Sequence, residues 1–389
     1  MKNNLIPYGR QEINQEDINS VIEVLKSDFI TQGPKVPLFE EHISKYCEAK
    51  YVFAVNSATS ALHLACLSLG IKKGDIVWTS PISFVASANC ALYCGAKIDF
   101  VDIDEISYNL SVSKLEDKLK FAKKDGSLPK LIIAVHLSGQ SAQMEEIKQL
   151  SYKYNFKIIE DASHALGGSY KDTKIGSCKY SDLTVFSLHP VKMITTGEGG
   201  LVTTNDPSLA KKIRFLRSHG ITKDISEMKE KADGPWYYEQ HELGYNYRMP
   251  DLNAALGISQ LRKLNKFVDK REKISRYYDS NLKNLPLRTP FQSRDCISSR
   301  HLYIIRIDNS KSKINHKNLF LKLRYFNIGV NLHYIPIHLQ PFFKGLGFKK
   351  GDFPESEKYY EEAISIPIFT QLKREEQDFI ISKIKEFIL

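Results

Sequence analysis

Short apolar runs and helical repeats alternate along the first half of the chain, and this alternation restricts the fold more than any single motif. Apolar runs of strand length occupy residues 76–80, 97–101 and 131–135. Apolar residues at helical spacing follow two of them, at 113–121 and 144–154. Such alternation sets successive strands side by side in parallel and covers them with helices. We therefore predict an α/β fold with a mostly parallel central sheet.

The chain beyond residue 250 follows a different pattern. Its apolar spacing predicts one long helix from 250 to about 282, then a short set of mixed elements, namely strand 301–307, helix 318–326, strand 329–333 and a closing helix 374–387. We divide the chain into an N-terminal arm with a large domain (1–249) and a linking helix with a small C-terminal α/β domain (250–389). The polar stretch 218–240 is too long for a tight connection and predicts a lid or an interface.

Composition excludes several classes of protein. No apolar run approaches the roughly 20 residues of a membrane helix, and the amino terminus lacks the apolar core of a signal peptide. The 6 cysteines show no metal-site spacing, so we expect no metal, and they suit a reducing cytoplasm. The net charge of +10 is spread thinly through predicted helices. This spread argues against a nucleic-acid partner and fits an anionic substrate.

One lysine stands between apolar residues in a glycine-rich turn. Lys192 lies between Val191 and Met193, and strand-like runs precede and follow the turn. Burial disfavours the charged amine, and an unprotonated lysine attacks carbonyl groups. A Schiff-base lysine, including one that carries pyridoxal phosphate, needs this property. Taken alone, the stretch is explained at least as well by a loop lysine beside a hairpin.

A carboxylate ends another predicted strand. Residues 156–161 form an apolar run that finishes at Asp161. Acids at the carboxyl end of a parallel strand face the crevice in which α/β proteins bind ligands. The ring nitrogen of pyridoxal phosphate stays protonated beside a carboxylate. Lys192 and Asp161 together favour pyridoxal phosphate chemistry.

Small hydroxyl residues open the helix that follows the predicted strand Tyr51–Val55. Thr59 and Ser60 stand in its first turn. The free amides of a helix start bind phosphate together with such hydroxyls. Helix capping alone explains any turn of this kind. Combined with Lys192 and Asp161, the turn favours a phosphate site.

The motifs at 160–165, 189–192 and 195–200 resemble those of the DegT/DnrJ/StrS sugar aminotransferases. The similarity extends over nearly the whole chain. It implies a fold-type I enzyme that depends on pyridoxal phosphate, acts on nucleotide-linked keto sugars, and forms a homodimer with shared active sites. It also implies that Lys192 holds the cofactor and moves protons while Asp161 contacts the ring nitrogen.

The resemblance implies further contacts, which we group by what they touch. Those at the cofactor are the phosphate ligands Thr59, Ser60 and Ser187, Phe84 stacked on the ring, His164 near the phenolic oxygen, and Asn246 reaching the partner's phosphate. Those at the substrate are Thr31, Gln32, His333 and Tyr334. The residues themselves leave plainer explanations open: a turn at 31–34, a turn asparagine, and a structural hydrogen bond for His333.

Within the family, residues 31–34, 163–167, 189–192 and 217–220 are most similar to the C4 aminotransferases of pseudaminic acid biosynthesis. This similarity implies amination of C4 of a UDP-linked 4-keto-6-deoxy-N-acetylhexosamine, with glutamate as the amino donor. The alternatives are a legionaminic acid precursor, perosamine or a dTDP-sugar as substrate. Two other functions are less consistent with the sequence. A sugar dehydratase of this fold has histidine in place of the lysine, so Lys192 argues against it. A non-catalytic regulator needs an added DNA-binding module, which the few residues before the first helix cannot form.

Overall fold

A computed structural model describes residues 5–389 of the chain. Residues 1–4 lie outside the described part, and the prediction that the amino terminus is not a signal peptide falls partly on them. Over the described residues, none of the helices combines the length and the apolar character needed to span a membrane.

The described residues fold into helices and strands that alternate over most of the chain. The helices are α1 (Gln15–Leu25), α2 (Lys35–Cys47), α3 (Ala58–Ser68), α4 (Ala86–Tyr93), α5 (Val112–Asp125), α6 (Met144–Tyr154), α7 (Pro207–Arg217), α8 (Asp251–Leu261), α9 (Leu264–Leu282), α10 (His316–Tyr325), α11 (Pro341–Lys344), α12 (Pro354–Glu362) and α13 (Arg374–Ile388). The strands are β1 (Tyr51–Val55), β2 (Ile76–Thr79), β3 (Lys97–Phe100), β4 (Leu131–Val135), β5 (Lys157–Asp161), β6 (Ser169–Tyr170), β7 (Thr173–Lys174), β8 (Leu183–Ser187), β9 (Gly200–Thr204), β10 (Ile221–Thr222), β11 (Glu239–Gln240), β12 (Leu287–Arg288), β13 (Cys296–Ile297), β14 (Tyr303–Ile307) and β15 (Ala363–Ile366).

A seven-stranded sheet forms the centre of the molecule, in the order β1-β9-β8-β5-β4-β2-β3. Only β9 runs against its neighbours, because it pairs antiparallel with both β1 and β8 while the other pairs are parallel. The predicted mostly parallel α/β sheet is confirmed. The strands before and after the lysine turn lie side by side, which closes that turn at the carboxyl end of β8.

Apolar cores cover both faces of this sheet. Along β4, Leu131 and Ile133 pack into one core with α3 and α4, whereas Ile132 and Ala134 pack into another with α5 and α6. The alternation follows from the two-residue period of a strand, whose successive side chains point to opposite faces. Burial on both faces explains why this strand is apolar throughout.

A smaller antiparallel sheet, β12-β14-β15, lies in the C-terminal part of the chain. Its core combines apolar residues of the sheet with others from α9, α10 and α13. The described part of the N-terminal arm is the segment 5–14 before α1. Its residue Ile6 joins this core and also pairs with Ile328. The arm is therefore attached to the C-terminal part, although it precedes the large sheet in sequence. The division at residue 249 stays a prediction.

The predicted helix over 250–282 is wrong in one respect: it is two helices. α8 ends at Leu261, and the amide of Lys263 donates to the Gln260 carbonyl at 3.0 Å, which tightens the last turn. α8 packs against α1 and α2, whereas α9 reaches the C-terminal core. The break thus accompanies a change of packing partner, and no glycine or proline marks it.

Two further predictions need correction. The strand expected at 329–333 is absent as a continuous strand. Gly329 donates to the Ile6 carbonyl at 2.7 Å and Asn331 pairs with Ser365, so single bridges to different neighbours replace a ladder. The sequence also predicts that residues 81–84, after the strand 76–80, start a helix, but they form turns and the helix begins at Ala86.

Candidate active site

A cavity of about 520 Å³ opens at the carboxyl ends of β5 and β8. Its walls come from the start of α3, the turn before α4, the lysine turn, the N-terminal arm and the segment around residue 333. The predicted site residues that line it are Thr59, Phe84, Asp161, His164, Ser187, Lys192, His333 and Tyr334. Most of the predicted site residues therefore line one cavity, and its volume is in the range of small-molecule sites.

The turn that carries Lys192 is held by its own backbone. The amide of Lys192 donates to His189 at 2.9 Å, and the Thr196 amide donates to the Leu188 carbonyl at 3.0 Å. Burial of the ammonium group lowers the pKa of Lys192 to about 8, and the nearby Asp161 carboxylate opposes part of this shift. The amine is thus far more nucleophilic near neutral pH than an exposed lysine.

Hydroxyl groups hold both carboxylate oxygens of Asp161. The Ser87 hydroxyl donates to Oδ2 at 2.6 Å, and the Ser163 hydroxyl donates to Oδ1 at 2.6 Å. The Ser163 amide also donates to Oδ1, at 3.2 Å. Ser83 lies 2.6 Å from the Ser87 hydroxyl and extends this network into the turn before α4. These donors fix the carboxylate at the end of β5, aimed into the cavity.

The start of α3 lines the cavity and is suited to bind an anion. Ser57 caps the helix by accepting from the Ser60 amide at 3.1 Å, and Ser57, Ala58 and Thr59 line the cavity. First-turn amides have no partner within their helix, so they and the helix dipole attract an anion. A Cβ on Gly200 would lie 2.5 Å from the Ser57 carbonyl carbon, so glycine lets β9 approach this turn.

Neutral histidines form another wall. Burial, with the charge of Lys192, lowers the pKa of His164 well below its usual range and that of His333 to about 3. His301 lies beside His164, with ring centroids 4.4 Å apart, and burial likewise lowers its pKa. Burial raises the pKa of the Tyr334 hydroxyl. At neutral pH these side chains act as uncharged hydrogen-bonding groups.

Some predicted residues do not line the cavity. The Ser60 hydroxyl donates to Asn56 at 2.7 Å and stands beneath the helix start. Asn246 is exposed, and its carbonyl accepts from the Asn56 side chain at 3.4 Å. Thr31 and Gln32 are exposed as well. Their proposed contacts with cofactor and substrate stay predictions.

The cavity also contains residues that we did not predict, including Tyr8, Ser87, His301 and Asn331. Ser87 carried no usable signal, because it lies in the first turn of α4 and the turn at 81–85 sets its position. His301 and Tyr8 carried none either. His301 lies just before β14 and Tyr8 lies in the N-terminal arm. Both segments pack on the C-terminal core, and this packing places the two side chains in the cavity with Lys192.

Three groups in this cavity match the chemical groups of pyridoxal phosphate. Lys192 offers an amine of lowered pKa for its aldehyde, Asp161 a carboxylate for its ring nitrogen, and the start of α3 amides for its phosphate. An α/β fold with these three groups in one cavity defines a fold-type I enzyme dependent on pyridoxal phosphate.

Comparison with known proteins gives the family. The model of the DegT/DnrJ/EryC1/StrS aminotransferase family matches residues 11–385, and the chain belongs to this family. The predicted family, fold class, type of enzyme and cofactor are thereby confirmed, and the cofactor is pyridoxal phosphate.

Individual relatives match end to end. The chain is 40% identical over 377 residues to the UDP-4-amino-4,6-dideoxy-N-acetyl-beta-L-altrosamine transaminase of Campylobacter jejuni, covering 97% of this chain and 96% of the relative. Among solved structures it matches Helicobacter pylori PseC, an aminotransferase of pseudaminic acid biosynthesis, with TM-score 0.90, 31% identity and 99% coverage of both chains. It also matches Spr1654 of Streptococcus pneumoniae, assigned as a sugar aminotransferase and solved in its pyridoxal phosphate form, with TM-score 0.88, 29% identity and 98% coverage of both chains.

Proposed function

We propose that this aminotransferase transfers an amino group from glutamate to C4 of a UDP-linked 4-keto-6-deoxy-N-acetylhexosamine. The product would enter a cytoplasmic route to a nonulosonic acid such as pseudaminic acid. The observation that carries this proposal is the 40% identity, over nearly the full length of both chains, to a transaminase named for that amino sugar. The similarity to the Helicobacter enzyme supports the same substrate class.

The side chains of the cavity have separable tasks in such a reaction. Pyridoxal phosphate supplies the electron sink that stabilises negative charge on the carbon next to the transferred nitrogen. Lys192 would take a proton from the substrate carbon and deliver it to the cofactor carbon, or the reverse, since a pKa of about 8 lets its amine serve as base and its ammonium as acid near neutral pH. Asp161 holds the proton on the ring nitrogen through its anchored carboxylate.

The neutral histidine wall fits a polar, uncharged substrate portion. Tyr334 and His333 line the cavity together with the cofactor groups, and Phe84, which also lines it, is 58% exposed. Because burial keeps His164 and His333 uncharged at neutral pH, this wall is polar without adding a positive charge beside Lys192.

We further propose a homodimer in which Asn246 approaches the partner's phosphate site. Asn246 is exposed and lies outside its own cavity, as the shared-site arrangement requires. Large apolar side chains close to the exposed site residues are open to solvent in the single chain: Phe29 and Ile30 precede Thr31, and Leu243 precedes Asn246. Covering such residues is a favourable role for a second copy.

The substrate proposal is tested by the reverse reaction. We would incubate the loaded enzyme with 2-oxoglutarate and a matched panel of UDP- and dTDP-linked sugars that carry an amine at C3 or C4, and measure glutamate formed. The UDP-linked C4 amine should give the highest kcat/KM. Preference for a dTDP sugar or a C3 amine would overturn the substrate and leave the aminotransferase assignment intact.

A further inference from the structure

His164 is held between a backbone donor and a tyrosine. The amide of Ser138 donates to Nδ1 at 3.3 Å, and Nε2 lies 3.0 Å from the Tyr334 hydroxyl. A nitrogen that accepts a hydrogen bond from an amide carries no proton. A neutral imidazole has one N–H, so its proton stands on Nε2 and points at Tyr334.

This tautomer determines the direction of the next hydrogen bond. When the Tyr334 oxygen accepts from His164, the hydroxyl proton of Tyr334 is left for another acceptor. Within residues 5–389 no second partner of this hydroxyl is found, and Tyr334 lines the cavity. In the opposite tautomer Nε2 would accept the tyrosine proton, and no donor would face the cavity from this position.

The Ser138 amide faces His164 because of an unusual turn, Leu137–Gly139, which follows β4. Ser138 has φ 61° and Gly139 has φ 96°, both in the left-handed region. The turn is fixed from two sides. The His301 amide donates to the Ser138 carbonyl at 2.9 Å, and the Ser299 amide donates to the Gly139 carbonyl at 3.2 Å.

We propose that the turn Leu137–Gly139 is a positioning element that fixes the tautomer of His164 and so makes the Tyr334 hydroxyl a hydrogen-bond donor into the cavity. Its acceptor is an oxygen of the bound cofactor or substrate that carries negative charge, such as a phenolate or a developing oxyanion. The predicted contact of His164 with the phenolic oxygen would then run through Tyr334. A preorganised donor stabilises such an oxygen in a site that excludes water. The inference rests on the aminotransferase site and is independent of which sugar is used.

The tautomer can be observed directly. Nitrogen NMR of protein labelled in histidine, loaded with pyridoxal phosphate, distinguishes Nε2–H, Nδ1–H and cationic rings, and His164→Gln identifies the resonance. The titratable groups facing His164 are Lys192, His301, His333 and Tyr334. We expect neutral His164 with Nε2–H from about pH 6 to about pH 9. An Nδ1–H ring, or a cation in this range, would overturn the proposal.

A second experiment moves the turn. Gly139→Ala is strained at φ +96° and places a Cβ 2.1 Å from the Ser299 hydroxyl and 2.9 Å from the His164 carbonyl. We expect His164 to become a mixture of tautomers, and kcat of the half-reaction with glutamate to fall roughly tenfold. Gly126→Ala is the matched control, since Gly126 has φ +73° but nothing within 4 Å of the added Cβ. The control should keep the native tautomer and kcat.

Tyr334→Phe separates positioning from general damage. It should lower kcat about as much as Gly139→Ala while His164 keeps Nε2–H. The double variant should then be no slower than either single variant, because both remove the same donor. A Gly139→Ala protein that loses activity with its native tautomer intact would refute the proposal. If Gly139→Ala does not fold, the nitrogen NMR measurement of the His164 tautomer in the native protein still tests the proposal. Activity with no sugar of the panel would refute the proposed substrate while leaving this NMR result unaffected.

Discussion

At the scale of single residues, Lys192 and Asp161 owe their chemistry to their surroundings. Lysine is normally charged far above neutral pH, and here burial lowers the pKa of Lys192 to about 8. Asp161 is an ordinary carboxylate that becomes a fixed one because Ser87 and Ser163 hold both of its oxygens. The two side chains were predictable from sequence. The serine that anchors Asp161 from α4 was not, because the turn at 81–85 sets its position.

Replacing the lysine should abolish turnover. Lys192→Ala should leave the fold intact and retain some pyridoxal phosphate, because the start of α3 and Asp161 remain. Borohydride reduction of the native protein, followed by peptide mass mapping, should place the cofactor on Lys192. Lys223→Ala, at an exposed lysine, is the control and should keep full activity. A label on a different lysine would contradict this assignment.

The pKa of Lys192 predicts a pH dependence for the cofactor-free protein. Because the pKa is lowered from 10.5 to about 8, the neutral, reactive fraction of the amine rises as pH increases from 7 and levels off above about 8. The rate of covalent pyridoxal phosphate capture, followed by absorbance, should show the same profile. A rate that keeps rising up to pH 10 would indicate an amine with an unshifted pKa.

Replacing Asp161 should slow the reaction without emptying the cavity. Asp161→Asn keeps the size of the side chain but removes the negative charge that holds the ring proton, so kcat should fall about 100-fold or more. Ser87→Ala, which removes one of the donors to Asp161, should cause a smaller loss. Equal kcat for Asp161→Asn and the native enzyme would exclude the proposed role.

At the scale of elements, the site depends on how closely β9 approaches the start of α3. Much of this arrangement could be predicted, since strand length, helix periodicity and the hydroxyl-rich turn were all visible in the sequence. The break between α8 and α9 could not, because no glycine or proline marks it and packing partners decide it. The strand predicted at 329–333 was wrong for a similar reason. Its apolar pattern is that of a strand, but the neighbouring residues Ile6 and Ser365 form only single bridges with this part of the chain.

A methyl group on Gly200 should damage the phosphate end of the cavity. In Gly200→Ala the added Cβ would lie 2.5 Å from backbone atoms of Ser57, so the start of α3 must shift. The dissociation constant for pyridoxal phosphate, measured by equilibrium dialysis, should rise roughly tenfold or more. In the control Gly9→Ala the nearest contact is an ordinary 3.7 Å. Unchanged cofactor affinity in Gly200→Ala would show that this approach is unimportant.

At the scale of the whole molecule, the C-terminal part and the N-terminal arm complete a cavity that the large sheet begins. Tyr8, His301 and His333 all reach it from outside the central sheet. Such long-range juxtapositions leave no local sequence pattern. In contrast, Asn246, Thr31 and Gln32 are exposed and do not line the cavity of their own chain. For Asn246 this agrees with the proposed contact with the partner's phosphate site.

Mixed subunits test the shared site. Lys192→Ala and Asn246→Ala homodimers should each be impaired, the first inactive and the second with weakened cofactor binding. A heterodimer of the two has one site with both native residues, so mixing and reassembly should restore part of the activity. Absence of complementation in dimers shown by native mass spectrometry to be mixed would contradict the cross-subunit role of Asn246.

The most direct measurement is a single half-reaction on the loaded protein. Native enzyme and Lys192→Ala would each be mixed with UDP-4-amino-4,6-dideoxy-N-acetyl-beta-L-altrosamine in the absence of a keto acid, and the cofactor absorbance followed. In the native enzyme we expect complete conversion of the cofactor to its amine form, with an equal amount of keto sugar released, and no conversion in the variant. A native enzyme that converts its cofactor with glutamate but with none of the UDP- or dTDP-linked amino sugars would contradict a sugar aminotransferase.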